Sequence, residues 1–290
     1  MSIVINTNMQ ALISRDHLIK ATADMNKSVE RLSTGLRINH AKDDPAGCYQ
    51  ATTMQTQIRG VQTAYQNVAN ASSLLSVAEG DLKIINDHLE RIKDLATQYA
   101  NDTLSTAEQN AIKEEVRQRV EEIDRIATES DFNKLKLLDG SRESLRIQIG
   151  GNSDPTTNAL IVTGVLKKAS TGEDGLNLFS STGFADVAAA FQNASTASQF
   201  IDVVEASTED VALRISTAGI YQNRLSSIAN LLMIENENLT AAHSTIVDAD
   251  IATETAKYVQ TQILQQTTAV MLAQANQAPG TIALQLLSEL

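Results

Sequence analysis

Apolar residues recur along this chain in alternating steps of three and four, and the recurrence outlines its helices. Leu75, Ala78, Leu82, Ile85, Leu89, Ile92, Ala96 and Tyr99 form one such seam, the pattern of helices that pack against one another along their length. Val61, Tyr65 and Val68 extend it upstream less regularly. A second seam runs from Ile201 through Val204, Thr208, Val211, Ile215, Ala218, Gln222, Leu225, Ala229, Leu232, Asn236, Leu239 and His243 to Ile246. At a rise of about 1.5 Å per residue it predicts a helix about 65 to 70 Å long, too long for a compact globule of this mass, so the expected form is a rod. Gln222, Asn236 and His243 sit on this seam, where polar residues either fix the packing register or mark a solvent-facing turn.

A third stripe, Ile112, Val116, Val120, Ile123 and Ala127, predicts a helix over about 107–130. Three antiparallel helices can then share one core, to which Leu82, Ile85, Leu89, Ile92, Val211, Ile215, Leu225, Leu232 and Leu239 are assigned. Towards the ends, Leu18, Ala21, Met25, Val29, Leu32 and Leu36 repeat the pattern, and Ile263, Val270 and Ala273 offer a partner stripe. The two terminal helices are expected to pair. Pro45, Pro155 and Pro279 fall outside the long periodic stretches, so no internal breaker is expected in them.

The period changes between about 139 and 197. Leu145, Ile147 and Ile149 alternate with polar residues before Gly150, Gly151 and Asn152, and Leu160, Ile161 and Val162 follow, which predicts a β-hairpin. The stretch 170–198 is rich in Ser, Thr, Ala and Gly with scattered Phe, and is either a small surface subdomain or flexible.

Composition agrees with helices. Trp is absent, aromatics are 3% and Pro numbers 3 in 290 residues, a poor stock for an all-β domain. With 23 Lys and Arg against 35 Asp and Glu the net charge is −12, which repels phosphate backbones and anionic lipid and makes nucleic acid or a membrane surface a poor partner. No run of apolar residues is long enough to span a bilayer, and the first ten residues lack the basic start and apolar stretch of a secretory signal. The single cysteine, Cys48, cannot form an intrachain disulfide and reads as a small buried hydrophobe.

Candidate chemistry resolves mostly into helix caps. Asp43 and Asp44 precede Pro45 in the order of an N-cap and a first helical proline. Asp248, Asp250 and Glu254 could ligate a divalent cation, but they open a helical stretch near Ile251, where acids favour the helix dipole. His17, His40, His88 and His243 are dispersed and stand in no metal or nucleophile motif. Gly150 and Gly151 read as turn chemistry rather than a phosphate loop. No catalytic, cofactor or metal site is expected, so the reading is of a non-enzyme with no cofactor.

Read together, the two ends resemble bacterial flagellins. The amino-terminal motif comprises residues 6–8 (NTN), 31–39 (RLSTGLRIN) and 41–47 (AKDDPAG). The carboxyl-terminal motif comprises 222–225 (QNRL), 248–250 (DAD), 252–254 (ATE), 262–266 (QILQQ) and 272–277 (LAQANQ). The resemblance covers about residues 1–140 and 200–290. Pro45, Cys48, His243, Thr245 and Val247 depart from the family pattern, which bears on subunit contacts rather than on membership.

The resemblance implies a mainly α chain, an elongated antiparallel helical rod with a small β-hairpin region and paired terminal helices. Filament-core helices would occupy 1–42 and 251–290, rod segments 43–140 and 198–250, and the hairpin with a short variable insertion 141–197. Leu18, Met25, Val29, Leu32, Ile263, Leu264, Val270 and Leu272 would pack in the filament core. It further implies a subunit that polymerises into the flagellar filament for swimming, exported unfolded through the flagellar type III apparatus without a cleaved signal. Its partners would be further copies of itself, an export chaperone, hook-filament junction proteins and the filament cap. In many flagellins part of the rod is recognised by the vertebrate Toll-like receptor for flagellin; the matching segment is 90–96 (ERIKDLA), with Arg91, Leu95 and Glu115 at the corresponding positions. The Ser/Thr-rich middle would be the place for O-glycosylation.

A physical argument stands beside the resemblance. Single amphipathic helices are marginal alone, so the terminal stripes should order only when neighbours cover them. Contacts that never close on themselves build helical filaments, and like-charge repulsion between acidic copies should make assembly stronger in moderate salt. The competing classes are a secreted coiled-coil adhesin, a hook-filament junction relative and, third, an enzyme.

Overall fold

The computed structural model describes residues 7–288, apart from 102, 152–153, 155–156 and 181–182; Asn6, Asn152 and Pro155 lie outside the described residues. In chain order the elements are α1 (Met9–Thr34), α2 (Pro45–Tyr99), α3 (Thr106–Glu129), β1 (Asp131–Phe132), β2 (Leu135–Lys136), β3 (Ser144–Gln148), β4 (Ala159–Thr163), α4 (Val187–Ala190), α5 (Ala194–Val247) and α6 (Ile251–Ser288). They form two compact units, one of Met1–Thr56 with Asn238–Leu290 and one of Gln57–Glu237. Helices α2 and α5 contribute to both.

The unit Gln57–Glu237 is built on the seams read from the sequence. Leu75, Ala78, Leu82, Ile85, Leu89 and Ile92 of α2 are fully buried, as are Val116 and Ile123 of α3 and Val204, Val211, Ala218 and Leu225 of α5. Leu232 is also buried, while Ile215 is half-buried. Helix α3 opens on a capping box, in which Ser105 accepts from the Glu108 amide and Glu108 accepts from Ser105, two otherwise orphaned donors satisfied together. On the seam of α5, Gln222 donates to Glu79 at 2.9 Å, whereas Asn236 Oδ1 is buried without a partner among the described residues.

The hairpin is where alternation placed it. Strands β3 and β4 are antiparallel, with Leu145 opposite Val162 and Ile147 opposite Leu160, and Ile147, Leu160 and Val162 face the core. It lies on α2: Asn67 donates to the Gln148 carbonyl, and a Cβ on Gly60 would come within 3.1 Å of Gly151 Cα. A Cβ there would be tighter than most such contacts, so glycine at both positions eases this approach of backbone to helix. A second small hairpin, β1–β2, turns through Asn133 and Lys134, both at positive φ, the geometry of a two-residue primed turn.

The Ser/Thr-rich segment before α5 is folded. Phe179, Phe184 and Phe191 gather around Phe200, and the Tyr99 ring meets Phe191 edge-on at 5.0 Å. The Tyr99 hydroxyl donates to the Phe191 carbonyl at 2.7 Å. Arg214, almost fully buried, donates to the carbonyls of Lys167 and Lys168 and pairs with Asp210 at 2.5 Å, tying the incoming loop to α5. The scattered aromatics are thus one cluster, joining the end of α2 to the start of α5.

In the other unit α1 and α6 run antiparallel. Helix α6 continues through Pro279 to Ser288, so the expectation that this proline lies outside a helix is corrected. The missing N–H frees the Ala275 carbonyl one turn back, and Asn8 Nδ2 donates to that oxygen at 2.7 Å. Asn8 also caps α1, its Oδ1 accepting from the Ala11 amide.

Candidate assembly surfaces

The face that α1 turns to α6 follows a three-four step: Ala11, Ser14, Leu18, Ala21, Met25, Ser28 and Leu32 are all buried or half-buried. On α6 the corresponding positions are Glu254, Tyr258, Thr261, Gln265, Thr268, Leu272 and Ala275. Most of these are polar. Three side-chain contacts fix the register, Asn8 to Ala275, Gln265 Nε2 donating to Thr22 at 3.1 Å, and Arg31 to Glu254 at 3.5 Å. Burying an ion pair costs desolvation that its attraction barely offsets, so this seam specifies an alignment more than it supplies stability.

Apart from Leu272, the larger aliphatic side chains of α6 among the described residues point away from this seam. Ile263 is 57% exposed and Val270 65%, and Ile251, Val259, Leu264 and Met271 are also open. Pairing of the terminal helices is therefore present, but not through Ile263 and Val270, which leave the seam because it steps through Gln265 and Thr268 instead. Of the eight residues assigned to filament-core packing, Leu18, Met25, Leu32 and Leu272 lie half-buried on the seam, and Val29, Ile263, Leu264 and Val270 are exposed. On α1 the outer face adds Met9, Leu12, Ile13 and Ile19. Exposed apolar side chains concentrated on two paired helices mark an interaction face. The sequence reading missed Ile13, Ile19, Ile251 and Val259, although a second stripe offset from the first was there to find.

Where α1 passes to α2 and α5 to α6, the two connections are laced together. The Arg37 amide donates to the Val247 carbonyl at 2.6 Å and the Ala249 amide to the Gly35 carbonyl at 2.9 Å. The Arg37 guanidinium donates twice to the Ile246 carbonyl, a cation on the carbonyl end of α5. Asp44 accepts from the Gly47 amide at 2.9 Å and Asp250 from the Ala252 amide at 2.9 Å, so both are N-caps. The Thr253 hydroxyl and amide hold the Asp250 carboxyl below its usual range. Asp43 pairs with Lys27 at 2.8 Å, and that ammonium brings its carboxyl down to about 2. Glu254 stands in the first turn of α6 but spends its charge on Arg31. Cys48 is half-buried rather than buried.

Most of the remaining named residues lie on α2, α3 and α5. Arg91 is exposed and its Nε donates to Glu115 at 3.1 Å; Arg91 and Arg119 together lower the Glu115 carboxyl. Leu95 is 2% exposed and packs inward beneath them. His88, against Arg119, is held below the ordinary imidazole range by burial and that guanidinium. His40 pairs with Glu30, His17 is exposed, and His243 and Leu239 are half-buried.

Comparison with known proteins bears on what these faces are for. Residues 5–143 match the bacterial flagellin N-terminal helical region and residues 201–287 the C-terminal helical region. The chain belongs to the bacterial flagellin family. A flagellin of Halalkalibacterium halodurans is 36% identical over 284 residues, covering 98% of this chain and 99% of that one. The flagellar filament 33 kDa core protein of Treponema phagedenis is 36% identical over 289 residues, covering 96% and 98%. A solved structure described as a flagellar hook-associated protein of Vibrio parahaemolyticus shares the fold, with a TM-score of 0.58 at 12% identity over 71% of this chain and all of that one. As a flagellin the chain is a structural subunit of the flagellar filament, in a family of structural proteins. Among the described residues no helix is long and apolar enough to cross a membrane.

Proposed function

We propose that this flagellin polymerises by covering the outer apolar faces of α1 and α6 with other copies of the chain. One observation carries the reading: the paired helices place polar residues such as Glu254, Thr261 and Gln265 between them and leave Ile263, Val270 and Met271 to water. A folded monomer gains nothing from that inversion of the usual pattern. A filament does, because every subunit offers the same face to successive neighbours in contacts that do not close. Residues 1–42 and 251–290 form the filament core in this reading, 43–140 and 198–250 the surrounding rod, and 141–197 a short outward insertion. The subunit acts as a building block, not as an enzyme.

The weak seam also suits export. Terminal helices that hold together only in company are easily kept unfolded for passage through the type III apparatus, after which the filament stands outside the cell. Chaperone, junction proteins and cap would meet the same termini. Recognition by the Toll-like receptor for flagellin would use Arg91 and Glu115 directly, with Leu95 supporting the helix face from beneath. Unaltered receptor signalling by Arg91→Ala would exclude it.

Deletion of residues 251–290 tests the main reading. The shortened chain should retain the helicity of α2, α3 and α5 by circular dichroism and form no fibres on seeds by electron microscopy. Fibres from the shortened chain would refute it.

A further inference from the structure

The unit Gln57–Glu237 carries two surfaces that its own fold does not use. The first is on α5. Residues 211–234 contain no Asp or Glu, the flanking carboxylates being Asp210 and Glu235, in a chain of net charge −12. At 3.6 residues per turn, Leu213, Ile220, Arg224 and Leu231 fall within about 40° of one another around the helix. The three apolar side chains are each more than 60% exposed, and Arg224, also exposed, makes no ion pair among the described residues. The result is an apolar line with one cation at its middle.

The second is a groove of about 390 Å³ between α2 and α3. Val77 and Ile84, a heptad apart and partly exposed, line it from α2, with Asp81 between them accepting from the Ser130 hydroxyl. Glu122, Glu129 and Asp131 add three more carboxylates, against the single guanidinium of Arg125, which already binds Glu122 and Glu129. The groove therefore combines exposed apolar side chains with a surplus of negative charge, the converse in sign of the line on α5.

Resting on the assembly reading above, we infer that α5 of one copy docks by its Leu213–Leu231 line into the acidic α2/α3 groove of another. Charge complementarity selects this partner. Over most of its surface an acidic chain repels its own kind, and juxtaposed like charges across an interface are costly; here Arg224 meets surplus carboxylates and no carboxylate on the line opposes them. Line and groove are different surfaces, so each copy presents a free groove after filling its neighbour's, and the contact propagates instead of closing into a dimer. This lateral contact is independent of the α1 and α6 faces.

In a Cys48→Ser background, copies carrying Ile220→Cys are mixed one to one with copies carrying Ile84→Cys, assembled on filament seeds and treated with a short bis-maleimide. Any link between the two positions then joins two molecules. Covalent dimers are expected in mixed filaments, and none above background in filaments of either variant alone or in the unassembled mixture. Mixed filaments without such dimers would overturn the docking. Failure of the unmodified chain to form filaments would instead remove the assembly reading, and this inference with it. If a cysteine variant does not assemble, charge reversal decides: Arg224→Glu should raise the critical concentration about tenfold, and adding Glu122→Lys should restore most of the loss. Assembly of Arg224→Glu at the parent concentration, or no rescue, overturns the proposal.

Discussion

Truncating Ile263 separates what the subunit needs to fold from what it needs to assemble. Ile263→Ala removes three carbons, each worth about 0.8 kcal/mol when fully buried. The residue is 57% exposed in the chain, so cover by neighbouring copies supplies about 1.4 kcal/mol of that per subunit, a factor of about ten in the association constant. Alanine also has the better helix propensity, so α6 itself is not weakened. The critical concentration, read as the unpelleted protein at equilibrium with seeded fibres, should rise about tenfold, while the thermal midpoint of the isolated chain stays within error. Leu82→Ala, at a fully buried site, should do the reverse, costing about 2 to 5 kcal/mol of folding stability. An unchanged critical concentration for Ile263→Ala, or a drop in monomer midpoint comparable to that of Leu82→Ala, would refute the assignment of this face to assembly.

Further outcomes follow from the same geometry. Asn8→Ala should leave the Ala275 carbonyl unpaired and speed amide hydrogen exchange in the last turns of α6, with exchange in α3 unchanged. Asp43, held at about 2 by Lys27, favours the folded connection above its ordinary value of 3.8. That contribution disappears as pH falls from about 4 through about 2, and Lys27→Met should flatten the acid limb of unfolding followed by circular dichroism. Gly60→Val, which adds a branched side chain where a Cβ already comes within 3.1 Å of Gly151 Cα, should push the hairpin off α2 and lower the thermal midpoint by about 2 to 4 °C, as a loss of about 1 kcal/mol does in a domain of this size.

Much of this was legible in the sequence because the long helices use ordinary rules. Burial of Leu82, Ile85, Leu89 and Ile92 on α2 and of Val211 and Leu225 on α5 follows from a period that packed helices require, and the β3–β4 hairpin from alternation bounded by glycines. Cap chemistry at Asp44 and Asp250 was readable from Pro45 and from the helical stretch after Ile251. The terminal pair was harder. Ile263 and Val270 look like seam residues because hydrophobicity normally points inward; here both stay exposed, and a pattern cannot say which partner an apolar stripe is for. Pro279 misled because the donor that satisfies the carbonyl it orphans, Asn8, lies at the far end of the chain. The β1–β2 turn was missed because Asn133 and Lys134 reach positive φ without glycine. The Ser/Thr-rich segment hid its order in three phenylalanines spread over its length, whose clustering on Phe200 of α5 depends on tertiary contact. Leu95 belongs to the motif around Arg91, yet a helix turns it to the core.

The central claim is that the outer face of α6 is open in the single chain and closed in the filament. Met271 reports on it directly, being 57% exposed on that face and oxidisable to the sulfoxide. Brief peroxide treatment followed by mass spectrometry should find Met271 oxidised in monomer and protected in seeded filaments. Equal oxidation of Met271 in both states would contradict the account.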